Sequence, residues 1–521
     1  MPAMKARNPA DSSAIVARAP AADLDNTPRR PRDASRMRRF LPSSDASWAL
    51  AIVVVLLLCQ LPTLTLMPGP NHDEAALNAA AASRAAGGPS ALTLLAGTGL
   101  TYSHAYYWHP PGHEWVMTAV YRLAGFSIGS TRGVSLAYGA AAALAFFAVL
   151  RRLAVARPAA AVVTAAFLLH PQTWWLCRSG RMDLAAIALG LLALRIWLGR
   201  ETGRPGAPRA LAAGMCLGAA GMFHLMILTW GPALIAAETA RTKRVPWASA
   251  IVCGLAAAAP VATWIAWAFI RGDGTAWLEQ FWQYQLVQRS THGPLLVQPW
   301  RELAQLTGTF AWVPLLALGL AAGVIAGLLR TSPARAWCAG GAAVAFALIA
   351  FGTAKGTGAY PLYWQIWALL LAGAGLGTLQ TSRWKIVAGL ALANAVAWQG
   401  ALGAVAWHQR AARDPERMAR FFAQHVAPGA IVAGPEDVWY AIAGAARAHL
   451  RIWERPDARR HDYVVASPDL DARHPPARDF HLVAVLPDEM PLVAGRYFSH
   501  TRFAYSLWQS DLRPPPAPRA P

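Results

Sequence analysis

The feature that most constrains this chain is a series of apolar runs separated by short basic connectors. They are Trp48–Met67, Val134–Leu150, Ala159–Leu176, Leu184–Leu198, Ala210–Phe223, Leu225–Ala237, Trp247–Ile270, Phe310–Leu329, Ala336–Phe351, Leu362–Leu379 and Ile386–Trp407. A helix needs about 20 apolar residues to cross the hydrocarbon of a bilayer. The pattern therefore predicts an all-α polytopic membrane protein with about 11 transmembrane helices. Alanine, leucine, glycine and tryptophan fill the runs, and small residues let helices approach closely. A content of 55% hydrophobic against 14% charged residues excludes an ordinary soluble protein.

The net charge of +20 comes mostly from arginine. Nucleic acid is one cause of such a balance, but here the basic residues cluster between apolar runs, so no nucleic-acid partner is expected and positive-inside topology accounts for them. Arg29, Arg30, Arg32, Arg36, Arg38 and Arg39 precede the first run and place the N-terminus in the cytoplasm. Threading eleven spans from there puts Arg151/Arg152/Arg157, Arg200/Arg204/Arg209, Arg241/Lys243/Arg244, Arg330/Arg335 and Arg383/Lys385 on that same side. The threading depends on Ala210–Ala237 being two short helices that turn near His224; as one helix it would invert every later loop. The five cysteines are scattered without metal-ligand spacing and read as core residues.

The expected organisation is a disordered cytoplasmic tail (1–46), a transmembrane domain (47–407), a small C-terminal α/β domain outside the membrane (408–513) and a disordered proline-rich tail (514–521). Inside the C-terminal domain, Ala430–Ala433, Tyr463–Ala466 and Leu482–Leu486 read as strands, and Met418–His425 and Trp439–His449 as helices. Gly112–Gly125 is apolar but short, which predicts a re-entrant or surface helix.

The threading gathers the chemically capable residues on the outer side. Two adjacent carboxylates, Asp73 and Glu74, follow the first run. Asn71-x-x-Glu74 ahead of an alanine run is close to a capping box, with Glu74 reaching back. Neighbouring helical residues point about 100° apart, so the two carboxylates cannot address one substrate; Asp73 is the functional candidate. Tyr106-Tyr107-Trp108-His109-Pro110-Pro111 offers aromatic faces for a sugar or an isoprenoid, although an interfacial aromatic belt explains the tyrosines about as well. Asp183 is a second carboxylate for metal or sugar hydroxyls, with Arg181 for a phosphate, or else a helix-end ion pair. Lys355 breaks the positive-inside pattern and stands close to Tyr360. His224 stands at the predicted turn, where a lone histidine is more often structural.

Together these features resemble the GT-C fold glycosyltransferases that use polyprenyl-phosphate sugars, in the subfamily of protein O-mannosyltransferases and bacterial aminoarabinose transferases of lipid A. The resemblance covers about residues 48–407 and rests on Asp73-Glu74 after the first span, Tyr107-Trp108-His109-Pro110-Pro111, the Arg132 region, Arg181-Met182-Asp183, and Lys355 with Tyr360-Pro361. It implies Asp73 and Asp183 as catalytic residues, and Glu74, Tyr107, His109, Arg181, His224, Lys355 and Tyr360 as substrate-binding ones. It further implies an inverting hexosyl- or pentosyltransferase in the inner (plasma) membrane of a cell envelope. The sugar would pass from dolichyl- or undecaprenyl-phosphate to a lipid, glycan or protein acceptor outside. It names no certain cofactor and leaves a divalent metal open. His224 stands where many relatives carry lysine, and the C-terminal domain matches no motif.

A transporter or lipid flippase is the rival class, since intramembrane charges serve those as well. Such proteins show internal repeats with broken helices in matching halves, and none is evident here.

Overall fold

The structure is a computed structural model that describes residues 44–96, 101–199, 205–281, 297–311, 313–329, 332–352, 360–376, 382–452, 456–467, 479–487 and 504–512. Residues Asp45–Pro521 form one compact unit. Lys355, both terminal tails and part of the 271–301 loop lie outside the described residues.

Each predicted apolar run overlaps helix within the described residues. The helices are α1 (Asp45–Gln60), α2 (His72–Ala85), α3 (Gly112–Ala124), α4 (Ile128–Arg152), α5 (Arg157–Leu169), α6 (Pro171–Leu176), α7 (Asp183–Leu198) and α8 (Ala207–Gly221). They continue as α9 (Trp230–Thr242), α10 (Trp247–Ile270), α11 (Gly274–Phe281), α12 (Gln298–Phe310), α13 (Pro314–Leu329), α14 (Pro333–Gly352), α15 (Tyr360–Leu376), α16 (Ser382–His408) and α17 (Pro415–His425). Five of the described helical stretches are long and apolar enough to cross a membrane: Asp45–Thr63, Ile128–Arg152, Trp247–Ile270, Pro333–Gly352 and Lys385–His408. Arg157–Leu169 and Pro314–Leu329 are apolar but shorter.

Three predicted elements come out differently. Ala159–Leu176 is not one helix: Pro171 cannot continue the ladder, so α5 stops at Leu169, and the His170 side chain caps α6 by accepting from Gln172 N. The stretch Trp439–His449 holds a π-helix over Tyr440–Ala445, and His449 already belongs to a strand. Phe310–Leu329 is interrupted, α12 ending at Phe310 and α13 starting at Pro314.

The turn at His224 is present. Helix α8 ends at Gly221, His224 is extended, and a 3-10 turn (Leu225–Thr229) leads into α9. The packing of glycines gives the directions. Gly214 faces Cys253 and Ala256, Gly218 faces Ala257 and Pro260, and Gly221 faces Val261, so α8 and α10 run parallel and the chain between them doubles back through α9.

The bundle has two chemically distinct ends. At one, Arg157 donates to Asp45 at 2.5 Å, Arg241 pairs with Glu238 at 2.6 Å, and Arg335 donates to the Ala374 carbonyl at 3.3 Å. Gly340 against Ala236 and Ala240, and Gly373 against Leu150 and Val163, tie these connectors to one end. At the other end Arg178 locks the exit of α1: it donates to Gln60, to Thr63 O at 3.0 Å and to Met67 O at 3.1 Å.

The C-terminal segment forms a five-stranded sheet in the order β2-β1-β3-β5-β4, from β1 (Ile431–Ala433), β2 (His449–Arg451), β3 (Tyr463–Ala466), β4 (Phe480–Leu486) and β5 (Tyr505–Ser510). β1 runs parallel to β2 and β3, which needs crossover connections, and the π-helix lies in the first of them. β5 pairs antiparallel with β3 and β4. The strands β2 and β5 were not foreseen; both are short stretches with no alternating apolar pattern strong enough to mark them.

One buried acid in this domain sets a pH dependence. Asp437 accepts from the Tyr505 hydroxyl at 2.5 Å, and burial, helped by the Glu436 charge, raises its carboxyl from 3.8 to about 6. A carboxyl with a folded value above its unfolded one stabilises fully below about pH 4 and loses that contribution as pH rises through 6. Two units correspond to about 3 kcal/mol. Asp437→Asn, a fixed mimic of the neutral acid, is therefore expected to be about 3 kcal/mol more stable than wild type at pH 8 and equal to it near pH 4. Unfolding curves of the two proteins that stay parallel from pH 4 to 8 would contradict this.

Candidate active site

The site begins with helix α2. Asn71 is its N-cap, with its side-chain oxygen accepting from Glu74 N at 3.0 Å. The capping box is only half present, because the Glu74 carboxylate does not reach back. It is fully buried and forms a two-pronged pair with Arg132 of α4, Nε and Nη2 both at 2.9 Å. Arg132 spends its remaining arm on the Leu64 carbonyl at 3.0 Å, so α2, α4 and the segment that leaves α1 are tied through one guanidinium.

Asp73 turns the other way, as successive helical positions must, and its side chain is 45% exposed. It is ion-paired with Arg181 Nη1. Arg181 also donates through Nε to Asp183 Oδ2 at 2.8 Å and hydrogen-bonds the Tyr360 hydroxyl. Burial works against the Arg181 charge, but Asp183 and Asp73 more than offset it and hold the group protonated. Asp183 is fully buried at the start of α7 and receives the Tyr363 hydroxyl at 3.2 Å. One arginine thus bridges an exposed and a buried carboxylate from two helices.

The 177–183 turn that presents Arg181 and Asp183 depends on Gly180. Its φ is +60°, and a Cβ there would lie 2.7 Å from Thr131 Cγ2 and 2.9 Å from Glu74 Cγ. Only glycine lets this turn pass so close to α2. Asn78 seals the crossing, donating to Glu74 O and Gly180 O, both at 2.8 Å. His113 donates from Nε2 to the Gly180 carbonyl at 3.2 Å; burial lowers its ring to about 4, so it is neutral.

His224 joins the cluster from the α8–α9 turn. Its Nδ1 accepts from Met226 N at 3.2 Å, which leaves the proton on Nε2, 4.0 Å from Asp183 Oδ1. Its ring lies 5.6 Å from Tyr360, 5.5 Å from Tyr363 and 5.5 Å from His109, which stacks on Trp108. The 107–112 segment is brought in by Gly112, whose N–H donates to Met222 O at 2.8 Å where a Cβ would collide.

Asp73, Arg181, Asp183, His224, His109 and Tyr360 therefore converge, as the sequence predicted. Tyr107 does not join them. Its hydroxyl donates to Asp273 at 2.6 Å and is pushed up to about 12 by burial and that acid. It lines a cavity of about 980 Å³ with Arg84, Glu114, Phe223, Trp264 and Arg271, and none of Asp73, Arg181 and Asp183 lines that cavity. Among the described residues, no three His, Cys, Asp or Glu side chains are grouped to hold a metal ion, and Arg181 occupies the space between the two aspartates. Arg132 as the partner of Glu74, and Tyr363, were not singled out from sequence. Their partners are 58 and 180 residues away, and no local spacing announces them.

No family model matches the sequence, and no curated protein matches it. Solved structures do. The chain is similar to ArnT from Cupriavidus metallidurans in its apo state, with a TM-score of 0.62, and bound to undecaprenyl phosphate, with a TM-score of 0.61. Both comparisons are 15% identical and cover 89% of this chain and 98% of ArnT. The chain has the fold of these ArnT structures, which is the GT-C fold.

Proposed function

We propose that this protein is an integral-membrane glycosyltransferase that moves a sugar from a polyprenyl-phosphate donor to an acceptor outside the membrane. Fold alone does not fix activity. The observation that carries the reading is the Asp73–Arg181–Asp183 bridge, with one half-exposed carboxylate and one buried, at the end of the bundle opposite the basic connectors. Positive-inside reasoning makes that end the outer one, with about eleven spans, the N-terminus in the cytoplasm and the 408–513 domain outside.

The proposed reaction is a single inverting displacement. The acceptor hydroxyl oxygen attacks the anomeric carbon, the bond from that carbon to the phosphate oxygen breaks, and polyprenyl phosphate leaves. Asp73 orients the acceptor hydroxyl and takes its proton. Tyr363 holds Asp183, Asp183 holds Arg181, and Arg181 holds Asp73. His109, His224 and Tyr360 line the approach of the sugar, and Lys355 supplies charge for the departing phosphate. Glu74 supports the helix that carries Asp73 and does not itself bind substrate, in keeping with its complete burial.

Purified protein incubated with radiolabelled polyprenyl-phosphate sugars and membrane extract is expected to move label to an acceptor. Movement of intact donor across a vesicle membrane with no transfer would instead identify a transporter.

A further inference from the structure

The C-terminal domain does not sit apart from helix α2. The buried alanines of α2, Ala75, Ala76, Ala79 and Ala80, belong to one apolar core with Phe422, Trp439, Tyr440 and Ile442 of the C-terminal segment. Two hydrogen bonds clamp the same junction: Ile452 N donates to Leu94 O at 3.0 Å, and the Arg451 side chain donates through Nη1 to Thr93 O at 2.9 Å. Phe126, just ahead of α4, is held between Trp439 at 4.9 Å and Tyr440 at 5.3 Å. At the centre, the Tyr440 hydroxyl donates to Glu74 Oε1 at 3.2 Å.

A buried ion pair is stable only when hydrogen bonds satisfy its remaining lone pairs. Arg132 supplies two of those to Glu74, and Tyr440 supplies one from a residue 366 positions away. Tyr440 opens the π-helix, a distortion found frequently at functional sites and here starting on the residue that reaches Glu74. Glu74 is the neighbour of Asp73 on the first turn of α2, so whatever fixes Glu74 fixes the aim of Asp73.

We infer that Tyr440 is a positioning residue for catalysis, and that the C-terminal domain completes the active site by fixing the Glu74–Arg132 pair and, through it, the orientation of Asp73. This rests on the transferase reading above.

Tyr440→Phe removes the hydroxyl and leaves the ring on Phe126. It is expected to lower kcat for sugar transfer about tenfold while KM for the donor stays within twofold. It should also speed backbone hydrogen exchange in residues 72–85 several-fold. Tyr505→Phe is the comparator: it removes a buried hydroxyl from the same domain at Asp437, and both readouts should stay at wild-type values. Wild-type kcat in Tyr440→Phe, or an equal loss in Tyr505→Phe, would overturn the inference. If wild type transfers no sugar, the transferase reading falls instead. Hydrogen exchange in 72–85 then decides whether Tyr440 fixes α2, with unchanged exchange overturning that.

Discussion

Asp73→Asn is expected to reduce sugar transfer by about 10²–10⁴-fold, the usual contribution of a positioned general base, while the protein stays folded. Folding should survive for two reasons visible in the geometry. Asp73 is 45% exposed, so replacing its charge leaves no buried group unsolvated, and Arg181 keeps its bond to the fully buried Asp183 at 2.8 Å. The amide can still accept from Arg181 and so preserve the local arrangement, but it cannot take a proton from the acceptor. Initial rates of label transfer from a polyprenyl-phosphate sugar, alongside melting curves in detergent, separate the two effects. A variant that melts like wild type and retains more than one-tenth of its rate would remove Asp73 from the chemistry.

The contrast between Asp73 and Glu74 shows how far the sequence could be read. Adjacent positions on a helix must diverge, and that separated the half-exposed carboxylate that meets Arg181 from the fully buried one that meets Arg132. The apolar periodicity placed the helices, and the charge alternation placed Arg181, Asp183, His224 and Tyr360 at one end, where the structure brings them together. What could not be read were pairings made across the fold. A capping box was the only local use for Glu74, whereas its partners are Arg132 and Tyr440, 58 and 366 residues away. The stretch from Trp439 looked helical because its residues are apolar and alanine-rich. It forms a π-helix before turning at Arg447, whose φ is 52°, into β2. In both places a tertiary contact overrides local propensity: Arg132 of α4 and Tyr440 take the Glu74 carboxylate, and the Trp439–Tyr440 stretch packs in one apolar core with α2.

The same junction supports the largest effect expected on stability, from Arg132. Both side chains of the Glu74–Arg132 pair are fully buried. Arg132→Met fills much the same volume but leaves the Glu74 carboxylate without its two 2.9 Å donors. Removing one partner of a buried pair costs about 3–5 kcal/mol, because the remaining charge is uncompensated. Replacing both partners is far milder, so Glu74→Gln combined with Arg132→Met should recover most of that loss. The single and double variants, unfolded in parallel in detergent, form a cycle whose coupling term is the diagnostic quantity. If Arg132→Met unfolds with wild type, or the double variant is no more stable than the single, the pair does not hold the site together. If the coupling is large, activity supplies the second reading. The double variant, folded but lacking the pair that fixes α2, should remain slow in transfer, because Asp73 would then stand on a helix whose first turn is no longer held.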